Sequence, residues 1–204
     1  MAKLIKGKTK MEIFFYVIIF IIIAYFMGLK LENLNSINIT NFCFAVLYLT
    51  YIILMAGIDK ENRKIDKAVN IYGIAISIMY MSYLCIVGET NIYRYGIYLM
   101  CYIVMLTFDT ITLKKYAKST YVNGIIISII TMIVFTGEYV TANAIILTLL
   151  TIAIYLLLYK LKNIKNRNRK SDKQISKQLS IGFYLGVSNI LTVILALFFN
   201  HSIL

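Results

Sequence analysis

The sequence predicts an all-α protein, a polytopic membrane bundle of about seven transmembrane helices with a cytoplasmic N-terminus. Three observations support this prediction. The 204-residue chain is 60% hydrophobic, its apolar residues form seven long runs, and its basic residues lie almost entirely between alternate runs. A spanning helix needs about 20 mostly apolar residues, and in lipid its backbone polar groups must be bonded within the protein.

Seven apolar runs have lengths suited to a spanning helix. They cover residues 13–29, 42–58, 69–87, 95–113, 121–137, 140–159 and 179–199. The connections are short, so residues 1–204 are expected to form a single integral membrane domain, in which 1–41 supply an N-terminal extra span and an outer loop. The first run is longer than the apolar part of a typical signal peptide, and no small-residue cleavage site follows it. We therefore interpret it as a retained span.

The distribution of Lys and Arg predicts the orientation. Residues 3–10, 60–67, 114–118 and 160–177 hold four, four, three and eight of the 21 basic residues. With seven spans, all four stretches fall on one side, which the positive-inside rule assigns to the cytoplasm of a multi-pass cell-membrane protein. Anionic lipid headgroups are expected partners of this side. Nucleic-acid binding by 162–170 is the competing interpretation, and we favour the membrane anchor.

Two carboxylates lie at the inner ends of apolar runs. Asp59 follows the run 42–58, and Asp109 lies near the end of the run 95–113. Two crossings separate them, so both are expected at the same leaflet. An ionisable side chain at membrane depth costs about 2.5–3.5 kcal/mol on insertion scales, which makes each a candidate functional residue. The simpler alternatives are a polar helix end for Asp59 and an ion pair with Lys114 for Asp109.

A pair of aspartates can hydrolyse a peptide bond without a metal. Two carboxyl groups close together do not easily both ionise, so one holds a proton while the other acts as a base toward water. Residues for other peptidase designs are missing from the sequence. His201 is the sole histidine, at the end of the sequence far from Cys43, Cys85 and Cys101, and no HExxH motif occurs. We therefore expect neither a metal nor a cofactor.

The residues that follow Asp59 resemble the first catalytic motif of the type IV prepilin peptidases, a family of intramembrane aspartic proteases. That motif is an Asp at the end of a helix, a basic tract containing Arg, and an Ile six positions after the Asp, usually followed by Pro. Arg63 and Ile65 match this pattern, whereas Asp66 stands where Pro is usual.

Two further segments are similar to the same family, and the resemblance covers roughly 42–199. Asp109 lies 50 positions after Asp59, as expected for the family's Gly-x-Gly-Asp motif, but Phe108 and its neighbours replace both glycines. Gly182 matches the glycine of a closing Pro-Phe-Gly-Pro segment whose prolines are replaced here. The zinc-binding cysteine loop of many bacterial members is absent from the sequence, which makes the associated N-methyltransferase activity doubtful.

The resemblance implies an aspartic endopeptidase that removes the basic leader of pilin-like precursors at the cytoplasmic membrane face. Asp59 and Asp109 would act as general base and acid, and Arg63 and Lys64 would hold the loop or lipid headgroups. The alternative is a non-catalytic membrane protein: a degenerate homologue, a transporter-like protein or a scaffold component. Tyrosines near span ends, including Tyr121, are interpreted as an interfacial aromatic belt.

Overall fold

The computed structural model describes residues 20–24, 39–87, 92–112, 117–166 and 179–198, without the side chains of 109–112, 117–120, 162–166 and 197–198. Residues 20–24 are helical. The other described residues form six helices: α1 (Ile39–Asn62), α2 (Lys67–Val87), α3 (Ile92–Thr112), α4 (Ala117–Thr136), α5 (Glu138–Asn166) and α6 (Ile181–Phe198). Every described element is a helix, which confirms the predicted all-α class.

Three of these helices have the length and apolar composition needed to cross a membrane. They are Ile39–Asn62, Lys67–Val87 and Glu138–Leu161. Shorter apolar helices cover Ile92–Phe108, Tyr121–Thr136 and Ile181–Ala196. Each of the six apolar runs predicted after residue 41 therefore corresponds to a helix. Of the first predicted span, 13–29, only 20–24 lie within the described residues, and Ala24 there is fully buried in the core.

Local backbone conformations explain where consecutive helices separate. Arg63 has a positive φ of 52°, and its N–H donates to the carbonyl of Asp59 at 2.8 Å, the bond that closes a left-handed helix cap. Helix α1 therefore continues one turn beyond the predicted end at residue 58. Gly137, with φ of 82°, separates α4 from α5, and its N–H donates to the Ile133 carbonyl at 2.9 Å.

The described helices alternate in direction. The end of α1 meets the first turn of α6, where the Phe183 N–H donates to Asp59, and Tyr155 of α5 lies 6.4 Å from Tyr184 of α6, centroid to centroid. At the opposite end, Arg94 of α3 forms an ion pair with Glu138 of α5 at 2.7 Å. We call the end that holds Asp59 the basic end, because the exposed residues Lys60, Arg63, Lys64 and Lys67 lie there.

Polar pairs join the helices inside the bundle. Tyr48, Tyr51 and Tyr102 are each exposed by 1% or less, and each hydroxyl donates to a side chain of another helix. The pairs are Tyr48 with Asn189 (2.8 Å), Tyr51 with Ser128 (2.9 Å) and Tyr102 with Ser77 (3.0 Å). Such hydrogen bonds hold helices together where apolar burial does not distinguish protein from lipid.

Candidate functional site

Asp59 lies in the last turn of α1 and is fully buried at 0% exposure. Its Oδ2 atom accepts two hydrogen bonds from other helices. The Tyr121 hydroxyl of α4 donates at 3.2 Å, and the backbone N–H of Phe183 in α6 donates at 3.0 Å. The carboxyl group therefore joins α1, α4 and α6 at the basic end.

The first turn of α6 presents its free N–H groups to this site. The first N–H groups of a helix have no partner within the helix, and together they carry a partial positive charge. Phe183 donates directly to Asp59, while the Ile181 N–H donates to the Tyr121 oxygen at 2.9 Å. Asp59 thus caps α6 from a distant part of the chain, and Tyr121 accepts from a second N–H group of the same turn.

Gly182 allows this close approach. A Cβ atom at residue 182 would lie 3.1 Å from Oδ2 and 3.2 Å from Cγ of Asp59, and 3.0 Å from the Met55 sulfur. Distances this short require the neighbouring atoms to move. The structure therefore brings together two residues predicted from separate segments, Asp59 and Gly182, although 123 positions separate them in the sequence.

The two carboxyl oxygens of Asp59 differ in their hydrogen bonding. Oδ1 is buried and has no hydrogen-bond partner among the described residues. Leaving a buried polar atom unpaired is costly, so such an atom in a folded protein requires an explanation. An oxygen in this state can accept a proton or a water molecule, which are the two events a catalytic carboxyl group needs.

Two cationic side chains and the Phe183 ring lie near the end of α1 that holds Asp59. Arg63 follows Asp59 by four residues, about one helical turn, and its side chain is exposed to solvent. The Lys60 ammonium lies 4.9 Å from the centre of the Phe183 ring, within the range of a cation–π contact. Two exposed cationic side chains, Lys60 and Arg63, therefore lie at the end of α1 that holds Asp59.

The remaining residues of the first motif have different surroundings. Ile65 is buried and packs on α4, where a Cβ added at Gly124 would lie 3.0 Å from the Ile65 Cβ. Lys64 is exposed at the basic end. Ile65 therefore anchors the α1–α2 turn on α4, and Lys64 is available to solvent or lipid headgroups.

Asp109 lies in α3, and its side chain is outside the described side chains. The position of the helix is fixed by Tyr102, whose hydroxyl lies 3.0 Å from Ser77 of α2 and 3.0 Å from Thr131 of α4. Asp109 follows Tyr102 by seven residues, which is about 10 Å along the axis toward the basic end. Helix α3 packs mainly on α4, with a smaller contact to α2. The distance between the carboxyl groups of Asp59 and Asp109 therefore involves a side chain outside the described ones.

Tyr121 belongs to this site and was assigned to the aromatic belt from sequence. A tyrosine beside a basic segment at the end of an apolar run is typical of the membrane interface. Its partners are Asp59 and Ile181, which lie 62 and 60 positions away. No local pattern in one sequence shows such pairings.

Within the described part of the chain, no group of three or more His, Cys, Asp or Glu side chains could hold a metal ion.

Comparisons with family models, with curated proteins and with solved structures find no match for this chain.

Proposed function

We propose that the protein is an intramembrane aspartic endopeptidase similar to the prepilin peptidases. It crosses the cell membrane about seven times with its N-terminus in the cytoplasm, and it removes the basic leader of pilin-like precursors at the cytoplasmic face. The observation that carries this proposal is the Asp59 carboxyl group, which is fully buried, held through Oδ2 and, among the described residues, without a hydrogen-bond partner at Oδ1. The contact of Asp59 with Gly182 adds support, because both residues come from segments that resemble the family.

The proposed reaction uses Asp59 and Asp109 as a pair, one ionised and one neutral. The ionised carboxylate takes a proton from water while the water oxygen attacks the scissile carbonyl carbon. The neutral carboxyl group then donates its proton to the leaving nitrogen as the C–N bond breaks. One water is consumed, two peptide ends are produced, and the two carboxyl groups have exchanged roles. This chemistry needs no metal and no cofactor.

The basic end suits the proposed membrane contact. Arg63 and Lys64 are exposed there, and exposed basic side chains at a membrane surface attract anionic lipid headgroups. The net charge of +12 then anchors the cytoplasmic face. We do not propose binding to nucleic acid.

A second candidate function is supported by a specific observation. Oδ2 of Asp59 caps the first turn of α6 through Phe183 and, by way of Tyr121, through Ile181. Asp59 and Tyr121 thereby satisfy the backbone N–H groups of Phe183 and Ile181. A non-catalytic membrane protein, whether a degenerate homologue, a transporter-like protein or a scaffold component, would retain Asp59 for this structural reason alone.

Leader removal distinguishes the two functions. The protein would be co-expressed with pilin-like precursors, and shortening of the precursors would be followed for wild type, Asp59→Asn and Asp109→Asn. We expect cleavage by wild type and none by either variant. Asp66→Asn is a matched control, because this exposed residue undergoes the same loss of charge in the adjacent turn and should leave cleavage intact.

Other results of this experiment contradict the proposal. Equal cleavage by wild type and both variants rules out the carboxyl pair. No cleavage of any precursor by a well-expressed wild type favours the non-catalytic function. Loss of cleavage in Asp66→Asn as well indicates a general effect of charge at the basic end.

A further inference from the structure

Tyr121 has a position in the site that the proposed chemistry leaves unexplained. Its hydroxyl donates to Oδ2 of Asp59 and accepts from the Ile181 N–H. The side chain is half-buried at the start of the described part of α4. A phenol held between a carboxylate and a backbone N–H has a single direction in which its own proton can point, which is toward the carboxylate.

The hydrogen bonds of Asp59 are distributed unequally between its two oxygens. The Tyr121 hydroxyl and the Phe183 N–H both reach Oδ2, and Oδ1 has no partner among the described residues. Rotation of the carboxyl group by half a turn would exchange the oxygens. In either orientation, two donors from two different helices hold one oxygen, and the other oxygen has no partner among the described residues.

We infer that Tyr121 is a positioning residue, which holds the Asp59 carboxyl group so that Oδ1 is the oxygen that exchanges a proton with water or substrate. The identity of the substrate rests on the proposed function. The hydrogen bond by which Tyr121 orients the Asp59 carboxyl group does not depend on it. Tyr121 would act through Asp59 and would touch neither the scissile bond nor the attacking water.

Several described charged or titratable groups near Asp59 could also change its ionisation. Arg63 lies just after the end of α1, four residues beyond Asp59, and Lys60 lies over the Phe183 ring. Helix α4 contributes Tyr121, and the first turn of α6 contributes backbone N–H groups. Removing the Tyr121 hydroxyl therefore removes one donor to Asp59 and the acceptor of the Ile181 N–H, while both cationic side chains stay in place.

Labelling with a hydrophobic carbodiimide measures how often the Asp59 carboxyl group is neutral, and it requires no substrate. Such reagents react with neutral carboxyl groups in apolar surroundings, and the product is identified by peptide mass spectrometry. Donation by Tyr121 favours the ionised carboxylate, so Tyr121→Phe should raise the initial labelling rate of Asp59 about threefold to tenfold, the factor that corresponds to one hydrogen bond. Replacement of Tyr121 by 3-fluorotyrosine, a stronger donor of nearly the same shape, should lower the rate below that of wild type.

Opposite changes in the two variants identify donor strength as the cause, since loosening of the fold would raise both rates. Tyr72→Phe is the matched control, because it removes a hydroxyl that donates to the Leu47 carbonyl at 3.2 Å and should leave Asp59 labelling unchanged. A 3-fluorotyrosine protein labelled as fast as wild type, or faster, overturns the inference, including the case in which Tyr121→Phe does not fold.

The cleavage assay tests the link to catalysis separately. Where wild type cleaves a precursor, Tyr121→Phe should lower kcat about tenfold and leave KM nearly unchanged, in line with the loss of one hydrogen bond that acts through Asp59. A change in KM alone contradicts the positioning role. Where wild type cleaves nothing, the proposed function fails, and carbodiimide labelling still decides whether Tyr121 controls Asp59.

Discussion

The backbone N–H of Phe183 donates to Oδ2 of Asp59 at 3.0 Å, so the last turn of α1 caps the first turn of α6. A carboxylate at a helix N-terminus is stabilised by the free N–H groups and by the helix dipole. Here the carboxylate comes from another helix, which makes the cap a tertiary contact. The cap and the proposed chemistry use different oxygens of one side chain, and they can therefore be separated by substitution.

Substitution of Asp59 should separate its structural role from its chemical one. Asp59→Ala leaves the Phe183 N–H and the Tyr121 hydroxyl without their acceptor, and we expect it to lower the free energy of unfolding by about 1–3 kcal/mol. Asp59→Asn retains one acceptor oxygen and should cost clearly less. Thermal unfolding of the purified protein in detergent measures both. Equal stability of the Ala variant and wild type contradicts the capping role.

Substitution of Gly182 tests the close approach of α6 to Asp59. In Gly182→Ala, the new Cβ would lie 3.0 Å from the Met55 sulfur and 3.1 Å from Oδ2 of Asp59, and we expect overpacking to cost about 1–3 kcal/mol. Cleavage, where present, should fall as well because Asp59 must move. The same thermal unfolding experiment measures the loss of stability.

Gly57→Ala is the control for that experiment. Gly57 lies in α1 two residues before Asp59, and an added Cβ there meets no atom within 4 Å. Alanine is favoured over glycine inside a helix by about 0.5–1 kcal/mol, so this variant should be as stable as wild type or slightly more so. Similar losses in the two variants would indicate that the contact at Gly182 is not responsible.

The buried pair Tyr48 and Asn189 should contribute measurably to the packing of α1 on α6. Their hydrogen bond is 2.8 Å long, and Asn189 is fully buried. A double-mutant cycle with Tyr48→Phe and Asn189→Ala should give a coupling energy between about 0.6 kcal/mol, the average of such cycles between membrane helices, and about 1.7 kcal/mol, their maximum. Tyr139→Phe, on an exposed tyrosine, should change stability little. A coupling energy near zero would assign the pair to packing alone.

The sequence predicted the positions of the described helices because hydropathy and helix length are local properties. It also marked Asp59 as exceptional, since a carboxylate beside an apolar run is costly wherever the chain folds. The end of α1 was predicted one turn too early because the stop depends on the backbone of Arg63, which adopts a positive φ. Hydropathy has no information about such a conformation.

The partners of Asp59 could be predicted only in part. Gly182 was singled out by a resemblance, and its physical reason appears only when α6 lies against α1. Tyr121 was assigned to the membrane interface because its neighbours in sequence support that assignment equally well. Its pairing with Asp59 and Ile181 depends on how three helices pack, and no single-sequence pattern encodes that packing.

The distribution of charge predicts that the basic end faces the cytoplasm, and cysteine labelling can test this orientation. In a protein whose native Cys43, Cys85 and Cys101 are replaced by alanine, single cysteines would be introduced as Lys64→Cys and Tyr139→Cys. Both positions are exposed, and they lie at opposite ends of the bundle.

A membrane-impermeant maleimide applied to intact cells should label the cysteine at 139 and leave the cysteine at 64 unlabelled, whereas both should react after the cells are permeabilised. The physical reason is that basic loops are retained on the cytoplasmic side during insertion. The reverse pattern in intact cells would place Asp59 at the outer face, where a cytoplasmic leader could not reach it. Orientation therefore tests the proposed peptidase independently of any cleavage assay, because a carboxyl pair on the wrong side of the membrane has no access to the proposed substrate.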